Sequence, residues 1–214
     1  MQAQSLLGSA RAVDRRLDDL LASTLLADDP AAWSHAAVVR ETLTDVAEQL
    51  RASAPFPTGG DPAPAAGQFR GLLGVLADCE RPTPDRVAAG LDGGEATLDR
   101  LREAGRVEVR GPRLVVPLGR DPAGSNWWAL LEFLAESVAD LEAKASRIHG
   151  RAVVDGADAP VVDAWDSVTE RLDALGEVLD ETTANGRYAE RSVTATGGPE
   201  EFVAWTADQF RREG

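Results

Sequence analysis

The sequence predicts a mainly α-helical fold in which a short helical unit, closed by a β-hairpin, is flanked by two long antiparallel helical hairpins. Apolar residues step by four and three over long stretches near both ends of the chain, which is the spacing of one buried helical face. Between these stretches, residues 68–120 contain three short helical patterns separated by Pro and Gly. A pair of alternating apolar stretches around a Gly-Pro tip then predicts the hairpin.

The first helical hairpin is predicted over residues 1–53. Its two helices carry their apolar faces at Leu6, Ala10, Val13, Leu17 and Leu20, and then at Ala36, Val39, Leu43, Val46 and Leu50. Residues 54–67 are rich in Pro, Gly and Ala, a composition typical of a linker.

The central unit, residues 68–120, is predicted element by element. An apolar helix over 68–79 leads to Thr83-Pro84, where a second helix begins because Thr caps a helix and Pro suits its first position. A turn at Asp92-Gly93-Gly94 precedes a third helix over 95–104, and Gly105 ends it. The hairpin follows, with two short strands around Gly111-Pro112. Helix, helix, turn, helix and a two-stranded wing is the order of a winged helix-turn-helix, a fold that commonly docks on DNA.

The second helical hairpin is predicted over residues 121–186, with Ser125 as the first cap and its first helix ending near Gly150. Its two apolar seams have matched lengths, so they are expected to pair antiparallel, either between two chains as a dimer or within one chain as a four-helix bundle. Asn185-Gly186 is expected to end the second helix in a left-handed cap. Residues 187–214 form a tail, with an extended segment up to 196 and a final helix after Pro199.

Composition restricts the classes of function. The net charge is −14, and Lys144 is the only lysine among 22 basic residues. The excess of acid is segregated, because residues 69–120 hold 9 Arg against 8 acidic residues while the flanks are acidic. No apolar stretch approaches the ~20 residues that are needed to cross a bilayer. The N-terminus does not show the pattern of a signal peptide, so a cytoplasmic protein is expected. His35, His149 and Cys79 lack the spacing of a metal site, and we expect no cofactor and no enzymatic activity.

The exposed side of the third helix of the central unit carries both acidic and basic residues, so its charge does not clearly favour DNA binding. Leu98 and Leu101 define its buried side, and its opposite side is mixed in charge, with Ala96, Asp99, Arg100 and Glu103 and with Glu95 at the edge. Only Arg100 there has the sign that phosphates attract. The wing is predicted to expose more arginine by alternation, at Arg106, Arg110 and Arg113, and phosphate contacts are possible from Arg81 and Arg86.

The stretches TPDRVAAGL, DGGEATLDRLREAGRVEV and RGPRLVVPL resemble the winged-helix regulators of the MarR and PadR type. The resemblance covers about a quarter of the chain and is a pattern at the level of the fold. It implies DNA contacts from Thr97, Arg100, Arg102 and the wing arginines, and a dimer formed by helices outside the wing.

Two functions are therefore expected. The leading one is a homodimeric transcription regulator that binds double-stranded DNA through the wing and the third helix, with any effector between the hairpins near Trp127, Trp128 and Trp165. The alternative is an acidic winged-helix subunit that binds a protein partner and no DNA. A continuous positive strip from the third helix to the wing favours DNA, and an interrupted strip favours a protein partner.

Overall fold

A computed structural model describes residues 3–23, 26, 31–52, 66–118 and 124–194, with side chains for all of these except 66, 124, 125 and 184–194. The described chain is mainly helical and has one small antiparallel sheet, as predicted. Its elements in order are α1 (Ala3–Ala22), α2 (Ala31–Ala52), α3 (Ala66–Asp78), α4 (Pro84–Gly90), α5 (Gly94–Glu103), β1 (Glu108–Arg110), β2 (Arg113–Val115), α6 (Gly124–Val154) and α7 (Ala159–Thr194).

The two long hairpins pack against each other within one chain. Helix α1 contacts α2 and α6, and α7 contacts α2 and α6, so the four helices form a closed ring. Their apolar seams share a single core, with Val13 of α1, Leu43 of α2, Leu134 of α6 and Leu175 of α7 facing the same small interior space. The faces that predicted a dimer through the hairpins are therefore already buried inside the chain.

The predicted ends of the C-terminal helices are wrong in three places. Helix α6 begins at Gly124, so Ser125 lies within the helix rather than before it, and α6 continues past Gly150 to Val154. Helix α7 continues through Asn185 and Gly186 to Thr194, in place of the predicted cap and of the first part of the extended segment. A single Gly costs a helix interior only about 1 kcal/mol, which a long packed helix tolerates. The predicted final helix and most of the linker lie outside the described residues.

The central unit, which comprises α3, α4, α5 and the hairpin, is attached to the bundle of α1, α2, α6 and α7 through α3. Helix α3 contacts both α1 and α6. A network of ion pairs runs along this junction. Arg11 of α1 bonds Asp78 of α3 at 2.5 Å and also pairs with Asp14. Lys144 of α6 then joins Asp14 at 2.5 Å and Asp18 at 2.6 Å. The only lysine of the chain thus links two carboxylates one turn apart on α1.

Candidate partner or nucleic-acid interface

The turn between α4 and α5 is built as the sequence predicts. The Thr83 hydroxyl accepts the Arg86 amide at the start of α4, and Gly93 and Gly94 both have positive φ, which glycine adopts without strain. The hydroxyl of Thr97 donates to the Asp92 carbonyl at 2.8 Å and fastens α5 to this turn.

This bond corrects the expectation for Thr97. The residue is only 2% exposed, and its hydroxyl also accepts from Arg100 Nη2 at 3.0 Å. Thr97 is therefore a structural residue of the turn, and its hydroxyl does not face a partner molecule. Its position on α5, four residues before the buried Leu101 and so on the same side of the helix, is the sequence signal for this.

The outward face of α5 carries the predicted residues, and most of its arginine charge is engaged. Ala96, Asp99, Arg100 and Glu103 are exposed. Arg102 pairs with Asp99 at 3.4 Å, and Arg100 also donates from Nε to the Ala96 carbonyl at 3.2 Å. Both arginines lie along their own helix rather than extending from it.

The predicted hairpin is present, with Glu108 opposite Val115, Val109 opposite Leu114 and Arg110 opposite Arg113. Gly111 at its tip has φ +61, the sign that the first central residue of a type II′ turn requires. Alternation along the strands gives an inner face at Leu114 and an outer face at Arg110 and Arg113.

The hairpin arginines have unequal surroundings. Glu108 Oε2 accepts from both Nε and Nη2 of Arg110, at 3.0 and 2.9 Å, which is a charge-assisted fork on one carboxylate oxygen. The guanidinium of Arg113 has no hydrogen bond or ion pair within the described part of the chain. Hence only one of the two tip arginines presents an uncompensated charge.

Arg106 is not on the exposed face of the wing. It is 8% exposed, its guanidinium lies 5.8 Å from the centre of the Phe69 ring, and its Nη1 donates to Asn126 Oδ1 at 3.2 Å. The prediction from alternation fails because Arg106 precedes β1 and belongs to the end of α5. There the Arg106 amide donates to the Leu101 carbonyl at 2.8 Å, and Gly105 donates to Arg102, the bonds of a Schellman motif.

The residue that supports Arg106 is not among the site residues predicted from the sequence. Asn126 is fully buried at the start of α6, and its Nδ2 donates to the carbonyls of Arg106 and Pro117 at 3.2 and 2.9 Å. The signal was a lone amide among the large apolar residues that open this helix. Asn126 joins both ends of the hairpin segment to the bundle.

The two candidate phosphate contacts, Arg81 and Arg86, are exposed and have no ion pair within the described chain. Arg81 lies beside the hairpin because the adjacent Pro82 carbonyl accepts the Leu114 amide at 2.7 Å. We call the exposed residues of α5 and of the two strands the α5–hairpin surface; its charged members are Glu95, Asp99, Arg100, Arg102, Glu103, Glu108, Arg110 and Arg113. These are four acidic and four basic residues, and two of the arginines are ion-paired.

The three tryptophans proposed as an effector pocket do not come together. Trp127 and Trp128 lie at the start of α6, and Trp165 lies close to the turn that joins α6 to α7. At 1.5 Å per residue, Trp165 is about 10 Å from that turn and Trp127 about 40 Å. Each ring packs in the core instead, and Trp127 Nε1 donates to the Leu118 carbonyl at 2.8 Å.

Among the described residues, no group of three or more His, Cys, Asp or Glu side chains is arranged to hold a metal ion. The described helices include none that combines the length and apolarity needed to span a membrane. Comparison with known protein families, with curated proteins and with solved structures finds no match to this chain.

Proposed function

We propose that this chain is a protein-interaction subunit, in which a winged-helix unit on a four-helix bundle binds a protein partner through the α5–hairpin surface. The observation that carries the proposal is the interruption of the arginine strip. Arg106 is buried, and Arg102 and Arg110 are paired with neighbouring carboxylates. Surfaces of balanced charge are common in protein interfaces, whereas duplex DNA binds surfaces that supply a net positive charge.

A second property of the surface suits a protein partner. Val109 is 40% exposed at the edge of the hairpin, although its cross-strand neighbour Leu114 is buried. An apolar side chain of this size beside paired charges offers a partner a small area to desolvate. The phosphate backbone of DNA is contacted through charges and hydrogen bonds, so an exposed apolar side chain adds little to such a contact.

The first experiment measures DNA binding by the anisotropy of labelled genomic duplexes at low salt. We expect the wild-type protein to show no saturable binding at concentrations of about 10 μM, which is within the range of ordinary non-specific DNA binding. The triple variant Asp99→Asn, Glu103→Gln, Glu108→Gln frees Arg102 and Arg110 and should bind. The two freed arginines together contribute about −1.8 to the slope of log K against log salt, and the already unpaired Arg113 adds to it. Saturable binding by the wild-type protein with a negative salt slope would contradict the proposal.

The second experiment looks for the partner in the source cell. A photoreactive residue at Ala96 or Val109, both exposed on the α5–hairpin surface, should form an adduct of discrete mass that protease, and not nuclease, removes. The matched control is the same residue at Ala143, which is exposed on α6 and far from the α5–hairpin surface. Adducts at Ala143 as strong as those at Val109 would show that the surface is not selective.

DNA binding by a winged-helix transcription regulator is the second candidate function. It is supported by Arg113 at the tip of the hairpin and by the exposed Arg81 and Arg86, which have no ion pairs within the described residues. For this function, Arg113→Ala with Arg81→Ala should weaken DNA binding and flatten its salt dependence by about one per lost phosphate contact. A homodimer for such a regulator requires an interface outside the bundle seams, because those seams are buried within the chain.

A further inference from the structure

A cavity of about 210 Å³ lies between α1, α3 and α6, at the junction of the central unit with the bundle. Its accessible apolar wall is formed by the half-buried Phe133 ring, Ala10 and Ala77, whereas the lining residues Leu7 and Leu141 are almost fully buried. This cavity is separate from the α5–hairpin surface, and none of the candidate interface residues lines it.

Helix α3 leaves this space open through Gly74. A Cβ atom added to Gly74 meets no heavy atom within 4 Å, and the backbone there is ordinary helix without positive φ. Neither backbone conformation nor a close helix contact therefore requires glycine at this position. Gly71, on the same helix, has the same open surroundings but lies outside the cavity lining.

The polar wall of the cavity is acidic in balance. It contains three carboxylates, Asp14, Asp78 and Asp140, and one guanidinium, Arg11. Arg11 is already held by Asp78 and Asp14, and Asp14 also bonds Lys144. The Asp140 carboxylate is exposed and has no hydrogen bond or ion pair to any described residue, so one uncompensated carboxylate remains beside the aromatic and apolar surface.

We infer that this cavity is a binding site for a small organic cation, an ammonium group on a single-ring or branched apolar body. The ammonium group donates to Asp140, and the apolar body lies against the half-buried Phe133 ring and the open helix surface at Gly74. An apolar cavity of about 150 Å³ already accepts benzene, and drug-sized ligands need roughly 300 Å³ or more. The volume of the cavity thus suits a ligand slightly larger than one ring.

The experiment is a titration of the ¹⁵N-labelled protein with benzylammonium, followed by amide chemical shifts. Benzyl alcohol serves as the neutral probe of the same shape. We expect saturable shifts at the amides of Gly74, Ala77 and Ser137, with a dissociation constant of about 1 mM. The wild-type protein should bind benzyl alcohol about five- to tenfold more weakly than benzylammonium, and the variant Asp140→Asn should bind benzylammonium more weakly by the same factor. This factor is the size of one partly screened charge-assisted hydrogen bond.

A pair of glycine variants tests the position of the site. Gly74→Leu fills the cavity and should abolish saturable binding, while Gly71→Leu makes the same change outside the lining and should leave the affinity unchanged. Circular dichroism checks that both variants fold, and Asp140→Asn, an exposed and unpaired position within the described chain, provides a test that does not depend on Gly74→Leu folding.

Three results would overturn the inference. These are the absence of saturable shifts in the wild-type protein up to about 10 mM benzylammonium, equal affinity for benzylammonium and benzyl alcohol, and undiminished binding by folded Gly74→Leu. None of these results bears on whether the α5–hairpin surface binds a protein or DNA.

Discussion

Replacing Asn126 by alanine tests the joint between the hairpin segment and the bundle. The Asn126 amide accepts from the Arg106 guanidinium at 3.2 Å and donates to two carbonyls at 3.2 and 2.9 Å. A neutral hydrogen bond contributes about 1 kcal/mol net, and one to a charged group about 1.5–3 kcal/mol. Because two of the three bonds are at the long end of the usual range, we expect a loss of about 3 kcal/mol in the free energy of unfolding.

The loss is large because the Arg106 groups that bond Asn126 stay buried when the amide is removed. Asn126 is 0% exposed and Arg106 is 8% exposed, so water has little access to the Arg106 carbonyl and guanidinium unless the joint opens, whereas Pro117, which supplies the other carbonyl, is half-buried. For a chain of this length, about 3 kcal/mol lowers the melting temperature by about 6–12 °C. Thermal and urea unfolding followed by circular dichroism at 222 nm measure the change.

Two controls separate this cause from a general effect of substitution. Ser146→Ala changes an exposed residue of the same helix and should shift stability by less than about 0.5 kcal/mol. A double-mutant cycle with Arg106→Met should give a coupling energy of about 1–2 kcal/mol between Arg106 and Asn126. A melting temperature of Asn126→Ala within about 2 °C of the wild-type value would refute the argument.

Three further changes follow from single contacts. Trp127→Phe should destabilise the protein more than Trp165→Phe, although Trp165 is fully buried. The Trp127 indole donates to a carbonyl, whereas the Trp165 Nε1 is buried without a partner among the described residues, so only the first substitution removes a hydrogen bond. Equal melting temperatures of the two variants would contradict this. Gly111→Ala should cost about 1–2 kcal/mol through its positive φ alone, since an added Cβ meets no atom within 4 Å, and urea unfolding measures it. Burial lowers the pKa of Lys144, but hydrogen bonds to Asp14 and Asp18 and their charges outweigh it, so the pKa lies above its ordinary 10.5. The Lys144 contribution to stability is therefore complete below pH 10.5 and lost as the pH rises through the higher pKa of the folded state. At neutral pH, Lys144→Met should lower the free energy of unfolding by about 1 kcal/mol. Urea titrations should show this difference from the wild type shrinking above pH 10.5.

The sequence predicted the elements whose local signals agree with their tertiary role. The steps of four and three from Leu6 to Leu20 became the buried face of α1. Thr83-Pro84 marked the start of α4 within one residue, and the Gly-Pro tip fixed the register of the hairpin. In each case the same residues satisfy the backbone locally and face the core, so no long-range information is needed.

Arg106 shows where such local rules fail. A period of two applies only inside a strand, and this residue precedes β1 as part of the helix end, where its side chain meets Phe69 and Asn126 from distant parts of the chain. The pairing of the hairpins was undetermined for a different reason. Packing of two apolar seams of matched length removes the same apolar area from water within a chain as between chains. Periodicity alone therefore does not distinguish the two arrangements.

The balance of charge on the α5–hairpin surface illustrates the same limit for function. A count of 9 arginines against 8 acidic residues over residues 69–120 is identical whether the charges are separated or paired. Pairing changes the chemistry, because Arg110 can bind a phosphate only after its fork to Glu108 opens and leaves that carboxylate facing the same phosphate. The attraction gained is then offset by a repulsion at similar distance. Arg113, with no such partner within the described chain, is the one wing arginine for which a phosphate contact carries no such penalty.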